Sequence, residues 1–422
     1  MKITAALFCL LAAGPVFAAQ QIITFGPSSD PASRRLAVES RDGVVIKDLE
    51  LIDAVLAEFP AKTKRADLLR LPGAAAVEDD EELYWLGAEE TPVSLQTAAA
   101  LAAGLLEGAP PPTAPPAVPP AVSTAPLVAP IYVSTVSVEG KADHMSWGTA
   151  KMRAYDVWPV TKGAGARVAV LDTGVDCAHP DLAPNCGKGH NVLNPRLPPG
   201  DDKGHGTHVS GIIAGALNWK GAVGLAPEAT ILPVKVLNSS GSGKVSEIIE
   251  GITWAVKNKA DIINMSLGAP KFSEAQGKAV KAARAAGVLV ICAAGNDKGA
   301  VNYPAAYPEA LAVTALAFDN TLASFSCKGP ETDFIAPGVR IFSAAPGGSF
   351  LAANGTSQAA PHVSGLAALA VALGVRGPDA LEKALARASV SLGLPAYYEG
   401  YGVPVAPRLL KYVQAEQAAQ PK

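Results

Sequence analysis

Charge is scarce in this chain and nearly balanced. Asp, Glu, Lys and Arg make up 17 % of its 422 residues, and the formal net charge is −3. No basic surplus marks a surface for nucleic acid, because backbone binding needs clustered Lys and Arg. Aromatics are few, at 6 %, yet the total apolar share is 49 %. That excludes global disorder and supports a sizeable core, and the length admits two or three domains. Long apolar runs are also missing. The stretches Ile3 to Ala13 and Leu366 to Leu373 both fall short of the roughly 20 residues a membrane span needs. There is no internal repeat.

What the chain does have begins with a leader. Lys2 precedes the apolar Ile3–Ala13 run, Gly14 and Pro15 break it, and Val16-Phe17-Ala18 offers small residues for a peptidase. This pattern predicts a cleavable secretory signal over 1–18, cut after Ala18, and an extracellular or periplasmic protein with no membrane anchor. Of five cysteines, Cys9 leaves with the leader. An even number then remains in an oxidising compartment, with three pairings open. Cys177–Cys186 closes a short Pro-containing loop and leaves Cys292 with Cys327. Free thiols are the alternative, and Cys292 in "VLVICAAG" suits a small buried hydrophobe.

Organisation follows composition. Residues 19–90 form a mixed segment, in which "LELIDAVLAEF" has helical apolar spacing and "AAAVEDDEELYWLG" reads as a strand and its exit. Nine of the twenty-one residues from Pro110 to Pro130 are proline. That predicts an extended linker, 91–140, and a spacer rather than a docking motif. From 141 to 415 short β-branched runs alternate with helical patterns, before a tail at 416–422. "RVAVLD", "ATILPVKVL", "DIINMSL", "VLVICAAG" and "LAVTAL" read as strands buried on both faces. "SEIIEGITWAVKNK" and "SEAQGKAVKAARAAG" read as helices. Such alternation predicts an α/β fold with a mainly parallel central sheet and helices on both faces. Function in these sheets gathers past the carboxyl ends of strands, where Asp172, Ser266-Leu267 and Asn296 fall.

Asp172-Thr173-Gly174 fits two chemistries, an acid dyad or a histidine-orienting aspartate. The dyad needs a second Asp-Thr/Ser-Gly or a small β protein, and neither is present. In "DDKGHGTHVSGIIAG", His205 stands between two glycines before a helix. Zinc is an alternative for His205 and His208, but no third ligand is evident, and the helical zinc motif spaces its histidines four apart with a glutamate between. His208 reads as a structural hydrogen-bonding residue. In "NGTSQAAPHVSGLAALAVAL", Ser357 opens a helix whose free amides suit a developing oxyanion. The Gly-x-Ser-x-Gly elbow is absent because Ala359 holds the last position. Asn296 follows a buried strand and a glycine, placed to donate its amide to an oxyanion.

Together "DTG", "HGTHVSG", "SLG", "AAGN" and "GTSQAAPHVSG" resemble the subtilisin-like serine proteases, or subtilases, and their proteinase K-like secreted branch. The resemblance spans about Ala142 to Tyr412 and implies a three-layer subtilisin-like fold. It implies that Ser357 is the nucleophile, His205 the base and then acid, Asp172 its orienter, and Asn296 an oxyanion donor. It implies peptide binding as an added strand between Gly241, Ser242, Gly243 and Ser266, Leu267, Gly268. Asn302 would line a primary pocket with no charge at its base, suited to apolar or aromatic residues. No cofactor is needed for catalysis, and Asp181 and Asn218 match structural calcium positions. Residues 19–90 resemble a pro-segment that acts in cis as a folding assistant and inhibitor, which puts the mature start between about Thr91 and Ala142. The expected protein is a monomeric, self-processing endopeptidase acting on polypeptides. One departure is Gln358, where the family usually has methionine. The other is a short Asn296–Tyr303 loop. A catalytically dead binding protein and a secreted esterase are the alternatives.

Overall fold

The computed structural model describes residues 20–27, 29–86, 133–138 and 141–419. The predicted leader and the Pro110–Pro130 run lie outside them. Seven strands form the central sheet, in the spatial order Thr332–Pro337, Ala310–Leu316, Leu289–Ala293, Ile262–Met265, Arg167–Asp172, Thr230–Lys235 and His190–Asn191. Every pairing in it is parallel. All five strands read from sequence are present, as are both helices, Val245–Lys257 and Glu274–Ala285. The second helix opens on Ser273, which accepts from Gln276 N, and the chain leaves it through Gly287 at φ 91°.

The near-continuous apolar strands make sense because both faces are covered. Along Arg167–Asp172, Val168 and Val170 join one core while Ala169 and Leu171 join the other. The first core lies under the helices His205–Ala214 and Thr356–Ala372, the second under Val245–Lys257 and Glu274–Ala285. Arg167–Asp172 comes first in the chain yet sits inside the sheet, with later strands added on either side. The strand order reverses there, and the crevice at such a switch point is where open α/β sheets place their ligands.

An N-terminal unit packs on the second face. Gln21–Phe25, Val44–Leu49, Ala54–Glu58 and Ala74–Asp79 make an antiparallel sheet with the helix Pro31–Glu39 against it. "LELIDAVLAEF" is not helical. It holds the end of one strand, a short turn of 3₁₀ helix at Glu50–Ile52, and the whole of the next strand, Ala54–Glu58. Ala54 to Ala57 are all buried, and a strand covered on both sides cannot be told from a helix by apolar spacing alone.

The unit is held to the larger one by its edge. Glu78 accepts from Ala275 N at 2.8 Å, and Asp80 accepts from Ser246 N and Oγ at 2.9 and 2.8 Å. Two helices of the larger unit are thus capped by carboxylates from outside, where the free amides and the dipole favour negative charge. Lys47 also pairs with Glu250, and Lys257 with Glu50.

Two composition boundaries differ from the backbone. Val133–Val138 is a strand paired with Lys141–Ser146, so sheet begins inside the expected linker 91–140. The last helix runs Ala406–Ala419, through the expected tail boundary. Cys177 and Cys186 form a disulfide, whereas Cys292 and Cys327 are buried free thiols. No helix among the described residues is long and apolar enough to cross a membrane.

Candidate active site

Asp172 ends the central strand and is fully buried. Both its oxygens lie within hydrogen-bond distance of His205 Nδ1, at 2.8 and 2.9 Å. A carboxylate accepts only, so Nδ1 carries the proton and a neutral ring has its lone pair on Nε2. His205 opens the helix His205–Ala214 after Gly204 at φ 101°. Gly206 is required by close approach, since a Cβ there would stand 2.1 Å from the Gly174 carbonyl.

Ser357 is the second residue of the helix Thr356–Ala372. Its Oγ donates to Ser266 O at 3.0 Å, and Ser266 Oγ donates back to Ser357 O at 2.9 Å. The second bond has a local cause. Pro361 lacks the N–H that would bond the carbonyl four residues earlier, and that carbonyl belongs to Ser357. The side chain of Ser266 takes the vacant role. Asn296 is oriented by Thr356, whose N and Oγ1 both donate to Asn296 Oδ1 at 2.9 Å. Its amide nitrogen is thereby turned away from Thr356, and His205, Asn296 and Ser357 line one cavity.

His208 does not join them. Its Nε2 faces the carbonyls of Ile341 and Leu351, and burial together with the nearby His205 pushes its pKa down to about 3. It is a neutral packing residue, and no group of three metal-ligating side chains occurs among the described residues.

Two supporting residues were missed in the sequence, and Ser266 was named there only as a substrate-binding residue, not as a support. Asp201 accepts from Thr173 Oγ1, Lys203 N and Gly204 N with one oxygen, and from Thr207 N and Oγ1 with the other. Thr173 Oγ1 in turn accepts from Gly206 N. These bonds lock the turn after Asp172 to the helix that carries His205. The buried ammonium of Lys235 bonds Thr173 O, Leu237 O and Asp202. For Asp201 a signal existed, an aspartate shortly before a helix start. For Lys235, and for this role of Ser266, there was none.

The two expected edges are occupied. Glu82–Tyr84 lies antiparallel to Ser242–Lys244, with Tyr84 opposite Ser242 and Leu83 opposite Gly243. Trp85 N donates to Gly241 O, and Gly268 N donates to Trp85 O at 2.8 Å. The chain's own residues 82–86 therefore bridge the two segments, and Leu86 reaches the cavity of His205 and Ser357. Leu267, Gly268 and Asn302 line a second cavity beside Ser357. Its wall is not free of charge, because Asp297 lines it too. Burial would raise this carboxyl, but hydrogen bonds from the Cys327 thiol, Gly299 N and the Asn302 side chain hold it below the usual range. Burial and Asp297 together push the Cys327 thiol up to about 12, so it stays a donor.

The model of the subtilase family matches residues 163–401, more than half of the chain. The chain belongs to the subtilase family. An intracellular serine protease of Paenibacillus polymyxa is 43 % identical over 245 residues, covering 56 % of this subtilase and 75 % of that protein. Subtilisin of Bacillus pumilus is 48 % identical over 212 residues, covering 49 % of this chain and 77 % of its own. Subtilisin E of Bacillus subtilis (strain 168) is also 48 % identical over 212 residues, and there the match spans about half, 55 %, of the relative. As a subtilase the protein is a serine endopeptidase.

Proposed function

We propose that the chain is a secreted endopeptidase that hydrolyses peptide bonds in proteins through an acyl-enzyme, and that it is made as a self-processing zymogen. The observation that carries this reading is the Asp172–His205 contact beside Ser357 and Asn296, in a cleft where a segment of the same chain lies as an added strand. Ser357 Oγ attacks the carbonyl while His205 takes its proton and later gives it to the leaving amine. Asp172 holds the ring in the needed tautomer. Asn296 Nδ2 and the Ser357 amide receive the oxyanion. Gly241, Ser242, Gly243 and Ser266, Leu267, Gly268 bind substrate backbone, and Asn302 helps line the primary pocket.

Residues 19–90 act as the pro-segment. The residues after their last strand bring Leu86 to the cavity of the nucleophile, which supports cleavage between Leu86 and Glu89, and so a pro-segment that ends slightly before residue 90 and upstream of the start that composition suggests. Export rests on the leader and is supported by the Cys177–Cys186 disulfide. The Paenibacillus relative is named as intracellular, so fractionation of a tagged chain tests this part separately.

The deciding experiment is a casein digest with wild type and Ser357→Ala, with N-terminal sequencing of both products. Wild type should digest casein and begin between Gly87 and Glu89, and the variant should do neither. Casein turnover by the variant, or by neither protein, defeats the reading.

Calcium is proposed at Asp181 and Asn218. Asp181 Oδ2 accepts from Ala222 N, but buried Oδ1 has no hydrogen-bond partner, and burial raises this carboxyl. An orphaned carboxylate oxygen fits a hard cation. Asn218 Nδ2 donates to Pro180 O, which holds it at the same loop. Chelator should lower the Tm of wild type and leave that of Asp181→Asn unchanged.

A further inference from the structure

The Cys177–Cys186 disulfide closes a ring of residues 177–186, and Asp181 lies inside it. Both ends of the ring are pinned. At one end Asp176 N donates to Thr207 Oγ1 at 2.9 Å, on the helix that carries His205. At the other, Ile231 N donates to Asn185 O at 2.8 Å and Gly187 N donates to Ile231 O at 2.7 Å, on a strand of the central sheet. Between these anchors the ring holds Asp181 against residues 214–222. Ala216 N donates to Asp181 O at 2.8 Å, Ala222 N to Asp181 Oδ2 at 2.7 Å, and Asn218 Nδ2 to Pro180 O at 3.0 Å. His179, in the same ring, is fully buried. Its Nδ1 accepts from Asp181 N at 3.1 Å, and its Nε2 donates to Ser349 O at 2.9 Å. Asp181 is thus fixed with its Oδ1 buried and without a hydrogen bond. A carboxylate oxygen kept out of water in this way is unfavourable unless a cation meets it. Cys177 and Cys186 are only half-buried, which leaves the bond open to a small thiol, whereas Cys292 and Cys327 are buried.

We propose that the Cys177–Cys186 bond is a redox switch on the cation site at Asp181. Oxidised, the ring holds Asp181 ready for calcium; reduced, it does not. This deepens the calcium reading and rests on it. In the switch a dithiol attacks one sulfur and then closes on itself. Two cysteine thiols form, the dithiol becomes a cyclic disulfide, and two electrons and two protons pass from it to the protein. The open ring gains freedom that cation binding must remove again, so affinity falls although the ligands are the same. Tight binding therefore follows oxidation, and a chain still among reducing thiols lacks it.

The test uses the full chain carrying Ser357→Ala, which prevents self-digestion, and reads calcium binding by calorimetric titration and by Tm. Dithiothreitol is the reductant, and thiol labelling shows that the bond has opened. Reduction should raise the calcium Kd about 10-fold or more, since about half the closure entropy of so small a ring is enough for that. The gain in Tm at a fixed calcium concentration should shrink with it. Cys177→Ser with Cys186→Ser should bind as weakly with or without dithiothreitol, which covers a bond that resists reduction. If that double variant does not fold, the reduced chain decides. A Kd that moves by less than about 3-fold on opening the bond overturns the switch. If the oxidised protein binds no calcium, the calcium reading falls and this inference with it. If it binds calcium and keeps its affinity when reduced, only this inference falls.

Discussion

On the proposed reading Asn296 donates to the oxyanion itself, whereas Asp201 holds the turn that carries His205. Asn296→Ala should lower kcat by about 10²- to 10³-fold with little change in KM, because an oxyanion donor acts in the transition state. That magnitude is carried over from subtilisin itself, and steady-state kinetics on a peptide anilide checks it. Asp201→Ala is different in kind. It strips partners from two hydroxyls and three amides around the His205 turn. The expected cost is about 3 kcal/mol of stability, read from the midpoint of urea unfolding, together with a fall in kcat as the ring loses its fixed place.

At the scale of elements, the helix Thr356–Ala372 carries a proline in its sixth position and tolerates it because a neighbouring strand end donates to the exposed carbonyl. Two substitutions expose this dependence. Ser266→Ala should destabilise the protein by about 1–3 kcal/mol, since the Ser357 carbonyl then has no donor. Pro361→Ala returns a backbone N–H at the right spacing. The cost of Ser266→Ala should therefore shrink by about 1 kcal/mol in the Pro361→Ala background, as a double-mutant cycle in urea would read. Additive costs would mean that the two groups do not share this carbonyl.

For the whole molecule, the N-terminal unit grips the rest through carboxylates. Asp80 and Glu247 sit together at the start of helix Val245–Lys257, and burial pushes both pKa values up. Glu82 adds negative charge near Glu247, while Lys244 and Lys47 partly offset it. A raised pKa in the bound state means that the protonated form is favoured there. Binding is then strongest at low pH and weakens as pH rises through the raised values. The segment added in trans should inhibit the mature enzyme more tightly near pH 5 than near pH 8, and Asp80→Asn should flatten that slope. An inhibition constant independent of pH in wild type would rule the coupling out.

The sequence by itself determined the catalytic vocabulary and the class of fold. Apolar runs bounded by glycine and polar residues mark strands locally, and the short motifs around Asp172, His205, Asn296 and Ser357 carry their chemistry in residue type and neighbour. Both signals live within a few positions, so no partner elsewhere is needed to see them. Tertiary structure alone decided the rest. Asp172 and His205 meet across 33 positions, and Ser266 repairs a carbonyl 91 positions away. Nothing local to Lys235 or Leu86 distinguishes them from ordinary residues of their type, and the motif that marked Ser266 did not show its bond to the Ser357 carbonyl. "LELIDAVLAEF" became strand because apolar side chains cover it on both sides, and nothing local to Cys292 or Cys327 showed that both stay buried thiols. Contacts of this kind follow from which faces pack together, and packing is a property of the folded chain as a whole.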